Sequence, residues 1–254
     1  MPIINDTYYF AHQKEDTQLL PVVFIHGAGG SHLHWPAQIR RLRNYRVYAL
    51  DLPAHGKSSG RGLKTIASYA RFINNWMDAI ALEKAVFVGH SMGGAIALAL
   101  SLELPERVLG LGLIGTGARL KVAPKIIELA SNEKSFPAAV EIITMWAFAP
   151  QADARLVELA SQRMLEIPPA VLHSDFVACN GFDEISSLPQ INQPTLIVCG
   201  QEDRLTPLRY SQYLADHIPM AELKTFPNAG HMVMLEKPLA VASTLNDFLA
   251  AIPY

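Results

Sequence analysis

Three side chains in this sequence, a serine, an aspartate and a histidine, each follow a segment that reads as a strand, where a sheet would present them for chemistry. Ser91 lies in Gly89-His90-Ser91-Met92-Gly93-Gly94. The run Ala85, Val86, Phe87, Val88 before it reads as a buried strand. Residues 95–100 after it are rich in good helix formers. A G-x-S-x-G pattern at a strand-to-helix junction is a nucleophile elbow. So sharp a turn strains the serine backbone, and Gly89 and Gly93 must lack side chains for strand and helix to approach. The serine oxygen then stands at the C-terminal edge of a sheet, above helix N–H groups that favour a developing anion.

A serine hydroxyl is a weak nucleophile until a base takes its proton. Neutral imidazole does this near pH 7, and a carboxylate fixes its tautomer. Two later loops offer these groups. A strand ending at Gly200 runs into Gln201-Glu202-Asp203-Arg204, and one ending at Phe226 runs into Pro227-Asn228-Ala229-Gly230-His231-Met232. Both would lie at the C-terminal edge of a parallel sheet, where Ser91 also sits. His231 is the expected base and Asp203 the expected acid, with Glu202 and Asp183 as competitors. Glu202 is one residue off and would point the other way. Asp183 fits better as a cap or a backbone partner. A tetrahedral intermediate needs two N–H donors, one from Met92 after the nucleophile and one from the loop His26-Gly27-Ala28-Gly29-Gly30. Ala28 is the first choice there and Gly29 the next, while His26 reads as structural support for the loop.

The elements needed to position these groups alternate along the chain. Strands are expected over 7–12, 21–25, 46–50, 85–88, 108–114, 194–199 and 222–226, and helices over 35–43, 66–82, 95–100, 208–217 and 238–251. Such repetition argues for a parallel sheet covered on both faces. Between 116 and 188 the rhythm breaks into short helical patterns separated by prolines, too long a stretch for a simple loop. It reads as a helical insertion, residues 116–188, within a core made of 1–115 and 189–254.

With 254 residues, 50% of them hydrophobic and 17% charged, the chain can bury a large core. A net charge of -2 without long single-sign runs gives no footing for nucleic acid or an anionic membrane. Two cysteines, Cys179 and Cys199, form no disulfide framework or metal spacing. No leader is visible in residues 1–16, and no apolar helix is long enough to span a bilayer, so a cytoplasmic protein is expected.

The motifs HGAGG at 26–30, DLPAHGKS at 51–58, GHSMGG at 89–94, GQEDRLTP at 200–207 and NAGHM at 228–232 resemble those of the α/β-hydrolase superfamily, over nearly the whole chain. The order Ser91, Asp203, His231 is that of the family. The resemblance implies an eight-stranded, mostly parallel sheet, its first strand abbreviated, with helices on both faces and a helical cap after the sixth strand. It also implies that Asp51, His55, Gly56 and Ser58 are scaffold. Serine in place of the aspartate used by dehalogenases and epoxide hydrolases of this fold points to acyl transfer through an acyl-enzyme, with no cofactor and no metal. The expected activity is a carboxylesterase acting on small or medium-chain esters. A carbon–carbon bond hydrolase of ring-fission diketones, a lactonase, thioesterase or perhydrolase, and a slow small-ligand receptor are the alternatives. Met145, Trp146 and Phe148, with Leu205 and Met232 beside the acid and the histidine, are the expected pocket residues, apolar and without a cationic clamp. Arg119 and Lys121 could meet a carboxylate or be solvated, and Cys179 is read as a small buried hydrophobe. Oligomeric state is not legible.

Overall fold

The structure, a computed structural model, describes residues 3–13 and 15–254. Met1, Pro2 and Lys14 lie outside the described residues, and with them part of the stretch read for a leader. Eight strands form one sheet: β1 (Ile3–Ile4), β2 (Thr7–His12), β3 (Leu20–Ile25), β4 (Tyr45–Leu50), β5 (Ala85–His90), β6 (Val108–Ile114), β7 (Thr195–Gly200) and β8 (Ala221–Phe226). Their order is β1-β2-β4-β3-β5-β6-β7-β8. β1–β2 and β2–β4 pair antiparallel, and every other pairing is parallel. The abbreviated first strand is the two-residue β1.

The central strands β3, β5, β6 and β7 are predominantly apolar because both faces are covered. Along β5, Ala85 and Phe87 enter one core while Val86 and Val88 enter the other, as the two-residue period of a strand requires. The first core is closed by α2 (Ile66–Ala79), α3 (Met92–Glu103) and α8 (Leu208–His217). The second is closed by α1 (Ala37–Arg40), α9 (Val233–Glu236) and α10 (Pro238–Ala250). Helix α1 is shorter than the 35–43 expected. Pro36 forces Trp35 into an extended conformation (φ -93°, ψ 108°), so no helix can run through it.

Four helices lie between β6 and β7: α4 (Pro124–Ala130), α5 (Phe136–Ala147), α6 (Ala154–Leu165) and α7 (Pro169–Asn180). They share an apolar cluster that includes Ile126, Phe136, Val140, Ile143 and Leu172. The only extended pairing there among the described residues is a single bridge, Arg119 with Asp183. No helix of the described chain is long and apolar enough to cross a membrane.

Candidate active site

Ser91 joins β5 to α3 with φ 52° and ψ -116°, a left-handed conformation that a non-glycine residue adopts at a cost. The surrounding packing enforces it. A Cβ on Gly89 would overlap the Gly93 carbonyl, one on Gly93 would overlap the Ile25 carbonyl, and one on Gly94 would come within 2.6 Å of Thr116. The Ser91 N–H donates to the Ile114 carbonyl at 2.9 Å, and the Thr116 hydroxyl donates to the Ser91 carbonyl at 2.8 Å. Met92 opens α3, so its N–H has no acceptor within the helix.

Asp203 and His231 meet beside the elbow. Oδ2 of Asp203 lies 2.8 Å from Nδ1 of His231, and both residues are almost completely buried. Oδ1 of Asp203 accepts from the N–H groups of Leu205 (2.9 Å) and Thr206 (2.8 Å). The Thr206 hydroxyl donates to Oδ2 at 2.8 Å and stands 3.1 Å from Nδ1 of His231. Burial alone would raise the Asp203 pKa. The charge and hydrogen bond of His231, with the Thr206 donors, outweigh it and hold the carboxyl below its ordinary value. An ionised Asp203 fixes the proton of His231 on Nδ1 and leaves Nε2 to accept one. The histidine loop is itself held on three sides: His90 Nε2 donates to the His231 carbonyl (3.0 Å), Gly230 N–H to Glu236 (2.8 Å) and Met232 N–H to Ala147 (3.0 Å). The competing carboxylates are engaged elsewhere. Glu202 accepts from Gln151, and Asp183 caps the turn at Ile185 and faces Arg119.

The loop after β3 faces the same edge. Gly30 N–H donates to the Gly27 carbonyl at 3.0 Å, and Gly29 N–H donates to Oδ2 of Asp175 at 2.8 Å. Gly29 is therefore spent as a donor and is withdrawn as an oxyanion candidate, while Ala28 N–H has no acceptor among the described residues. His26 keeps the loop in place, Nδ1 donating to the Gly27 carbonyl (2.8 Å) and Nε2 accepting from Leu52 N–H (3.0 Å). Asp51 collects the N–H groups of His32 (2.6 Å) and Lys57 (2.9 Å) and the His32 ring, which is scaffold work.

A family model of the alpha/beta hydrolase fold matches residues 21–238. The chain belongs to the α/β-hydrolase family. It is 30% identical over 267 residues to a 2-hydroxy-6-oxo-6-phenylhexa-2,4-dienoate hydrolase of Burkholderia cepacia, covering 94% of this chain and 91% of that one. It is 32% identical over 250 residues to the dihydrolipoyllysine-residue acetyltransferase component of an acetoin cleaving system of Cupriavidus necator; that match takes in 90% of this chain but spans only 61% of the relative. Among solved structures, a thermophilic esterase superposes with a TM-score of 0.84 at 35% identity, covering 97% of this chain and 94% of the other.

Ala28, Ser91 and His231 together line two lobes of one cleft between the sheet edge and the helices α4–α7. The inner lobe, about 70 Å³, is walled by Ala147, Phe148, Met164, Leu172 and Met232. The outer lobe, about 230 Å³, is walled by Lys121, Trp146, Cys179, Arg204 and Tyr210. Leu205 and Phe176 border both. Trp146, Phe148, Leu205 and Met232 line the cleft, and Met145 does not. Met145 is 58% exposed, because the face of α5 that carries Ile143, Trp146 and Ala147 turns it outward. The expectation of a pocket without cations also needs correction. Lys121, from the start of the insertion, and Arg204, from the acid loop, both reach the outer lobe, whereas Arg119 pairs with Asp183 outside it. Burial, reinforced by the charge of Asp175, pushes the Cys179 thiol well above its ordinary range, so it stays a neutral wall residue.

Three imidazoles around the cleft are held neutral. Burial, then the charge of His55, keeps His26 well below 6.5; burial brings His34 to about 4; burial, then His231, keeps His90 low. Each is free to protonate in the unfolded chain, so as pH falls through 6.5 unfolding takes up an increasing number of protons on them. Stability should therefore fall as pH drops from 6.5 toward 4.5. His55 runs the other way: burial lowers its pKa, but Asp175 more than reverses this, so its contribution is present below 6.5 and is lost as pH rises through the folded value. Calorimetric Tm measured across this range checks the balance, and a flat Tm would refute it.

Proposed function

We propose that this hydrolase cleaves small carboxylic esters through an acyl-enzyme on Ser91. His231 serves as base and then acid, Asp203 orients it, and the N–H groups of Ala28 and Met92 receive the oxyanion. The observation that carries the reading is the 2.8 Å contact between Asp203 and His231 in a cleft whose wall includes the strained Ser91. In the first step Ser91 Oγ attacks the carbonyl carbon as its proton passes to His231 Nε2. Collapse of the tetrahedral intermediate expels the alcohol, which takes that proton, and water then repeats the sequence on the acyl-enzyme. Residues 116–188 act as a cap over the core of 1–115 and 189–254.

The inner lobe is the acyl pocket in this reading and the outer lobe receives the alcohol. The inner lobe, about 70 Å³ against about 230 Å³ for the outer one, is the tighter of the two and suits a short acyl chain. A p-nitrophenyl ester series should be fastest from acetyl to butyryl and fall about tenfold or more beyond hexanoyl, the cost of overpacking a filled pocket. Equal rates up to dodecanoyl would remove the inner lobe from the acyl role.

The second reading is carbon–carbon bond hydrolysis of a ring-fission diketone acid. It is favoured by the Burkholderia cepacia relative and by two basic residues in the wall of the outer lobe, Arg204 and Lys121, the ammonium of the latter donating to the Asn180 carbonyl at 2.9 Å. A 2-hydroxy-6-oxodienoate turned over with a higher kcat/KM than any ester in the series would decide for it.

A further inference from the structure

Helix α7 sends one charged side chain into the core. Asp175 is fully buried, and its two oxygens gather donors from three elements that are distant in sequence. Oδ2 accepts the Gly29 N–H at 2.8 Å and the Nε2 proton of His55 at 2.8 Å, and Oδ1 accepts the Tyr69 hydroxyl at 2.6 Å. Gly29 belongs to the loop after β3, His55 to the loop after β4, and Tyr69 to α2. Three partners offset the cost of burying the charge. They do not explain why a charge is there, since well-packed apolar residues usually serve stability as well as a buried ion pair.

The loop after β3 gives the reason. Gly29 is left-handed (φ +62°), and a Cβ on it would come within 2.9 Å of Leu172, which lies three residues before Asp175 on α7. The loop is thus pressed against α7 and tied to it by the Gly29 N–H. With the N–H groups of Gly29 and Gly30 both committed, Ala28, which borders both lobes of the cleft with Ser91 and His231, has no acceptor for its N–H among the described residues. A donor is useful to an oxyanion only if it is fixed before the charge develops.

We propose that Asp175 is the positioning residue of the oxyanion loop. Helix α7 holds Gly29 through this carboxylate and thereby aims Ala28 N–H at the reacting carbonyl, so a core loop takes its geometry from the helical insertion. The inference rests on the reading of Ser91 given above.

The test compares wild type with Asp175→Ala and Asp175→Glu, each first checked for folding by circular dichroism and Tm. Alanine removes the tie. Glutamate keeps the charge opposite His55 but displaces the carboxylate by about one bond length, so a role in charge balance alone would be rescued by it. The probes are p-nitrophenyl acetate and a trifluoromethyl ketone. With the ketone, Ser91 Oγ adds to the carbonyl carbon, its proton goes to His231, and the resulting oxyanion sits on the Ala28 and Met92 donors. The corresponding methyl ketone reports ground-state binding.

Both variants should lose about 100-fold in kcat with KM within about twofold. Both should weaken the trifluoromethyl ketone by a similar factor and leave the methyl ketone unchanged. A folded Asp175→Glu with wild-type kcat and a wild-type ratio of ketone affinities would overturn the proposal. It carries the test alone if Asp175→Ala does not fold. Failure of the serine reading looks different: the wild type itself would then show no Ser91-dependent turnover and no ketone adduct.

Discussion

Ser91→Ala should lower kcat for ester hydrolysis by about 10⁵ to 10⁶-fold while leaving the unfolding midpoint in urea within error of wild type. The first half follows from losing the atom that becomes acylated. What remains is catalysis by binding and by the oxyanion donors alone, on the order of 10³ over water. The second half follows from the backbone, because alanine inherits the same left-handed φ of 52° and the same packing of Gly89 against Gly93. Ser91→Gly separates the two properties. It should be as inactive as Ser91→Ala but more stable by about 1 kcal/mol, since glycine adopts this conformation without penalty. His231→Ala should cost nearly as much turnover as Ser91→Ala, and the double variant should lose little more, because residues that act as a unit are not additive. Turnover of an ester series at an unchanged rate in Ser91→Ala would end the nucleophile assignment.

The parts of this molecule that were legible in the sequence are those whose environment is uniform. The strands at the centre of the sheet are buried on both faces, so their β-branched runs need no periodicity to be seen, and 108–114 is β6 to the residue. Helix α8 likewise runs from Leu208 to His217 as its pattern suggests. Boundaries failed where a local rule outweighed the pattern, as at Pro36 before α1 and at Ala81, whose φ of +53° follows the early end of α2. Side chains that matter through tertiary contact left no local mark. Asp175 sits in Leu172-His173-Ser174-Asp175-Phe176, a mixture of polar and apolar residues that does not say which face is covered. Glu236 falls in a single-turn helix after the histidine loop, yet its carboxylate accepts from both Gly230 and Ala149, tying that loop to the end of α5. Met145 misleads for the opposite reason. Its type suits a pocket, but only its rotation about α5 decides where it points, and clustering with Trp146 and Phe148 along the sequence carries no such information.

Asp203→Asn should retain the fold and lower kcat by about 10⁴-fold near pH 7. The amide is nearly the size of the carboxylate, and its oxygen can keep the bonds from Leu205 and Thr206 N–H that hold the loop. That orientation turns the NH₂ group toward His231 Nδ1, which must then accept, so the imidazole proton moves to Nε2. An imidazole protonated at Nε2 cannot take the serine proton, and the imidazolium that does form has lost its counter-charge. Stability should change with pH in the same sense as for the buried histidines, falling on acidification, but in a lower pH window. The folded Asp203 pKa lies below its ordinary value, so its ionised form contributes stability above about pH 4, and this is lost as pH falls through the folded value. Wild type should therefore lose its margin over Asp203→Asn on acidification, with the two Tm curves converging below pH 4. Glu202→Gln and Asp183→Asn serve as controls, since those carboxylates face Gln151 and Arg119 and should each leave kcat within about twofold. Near-normal turnover in Asp203→Asn, with a large loss in either control, would transfer the acid role to that residue. For Glu202 it would also require the loop at 200–207 to present that carboxylate to His231 in place of the 2.8 Å contact of Asp203.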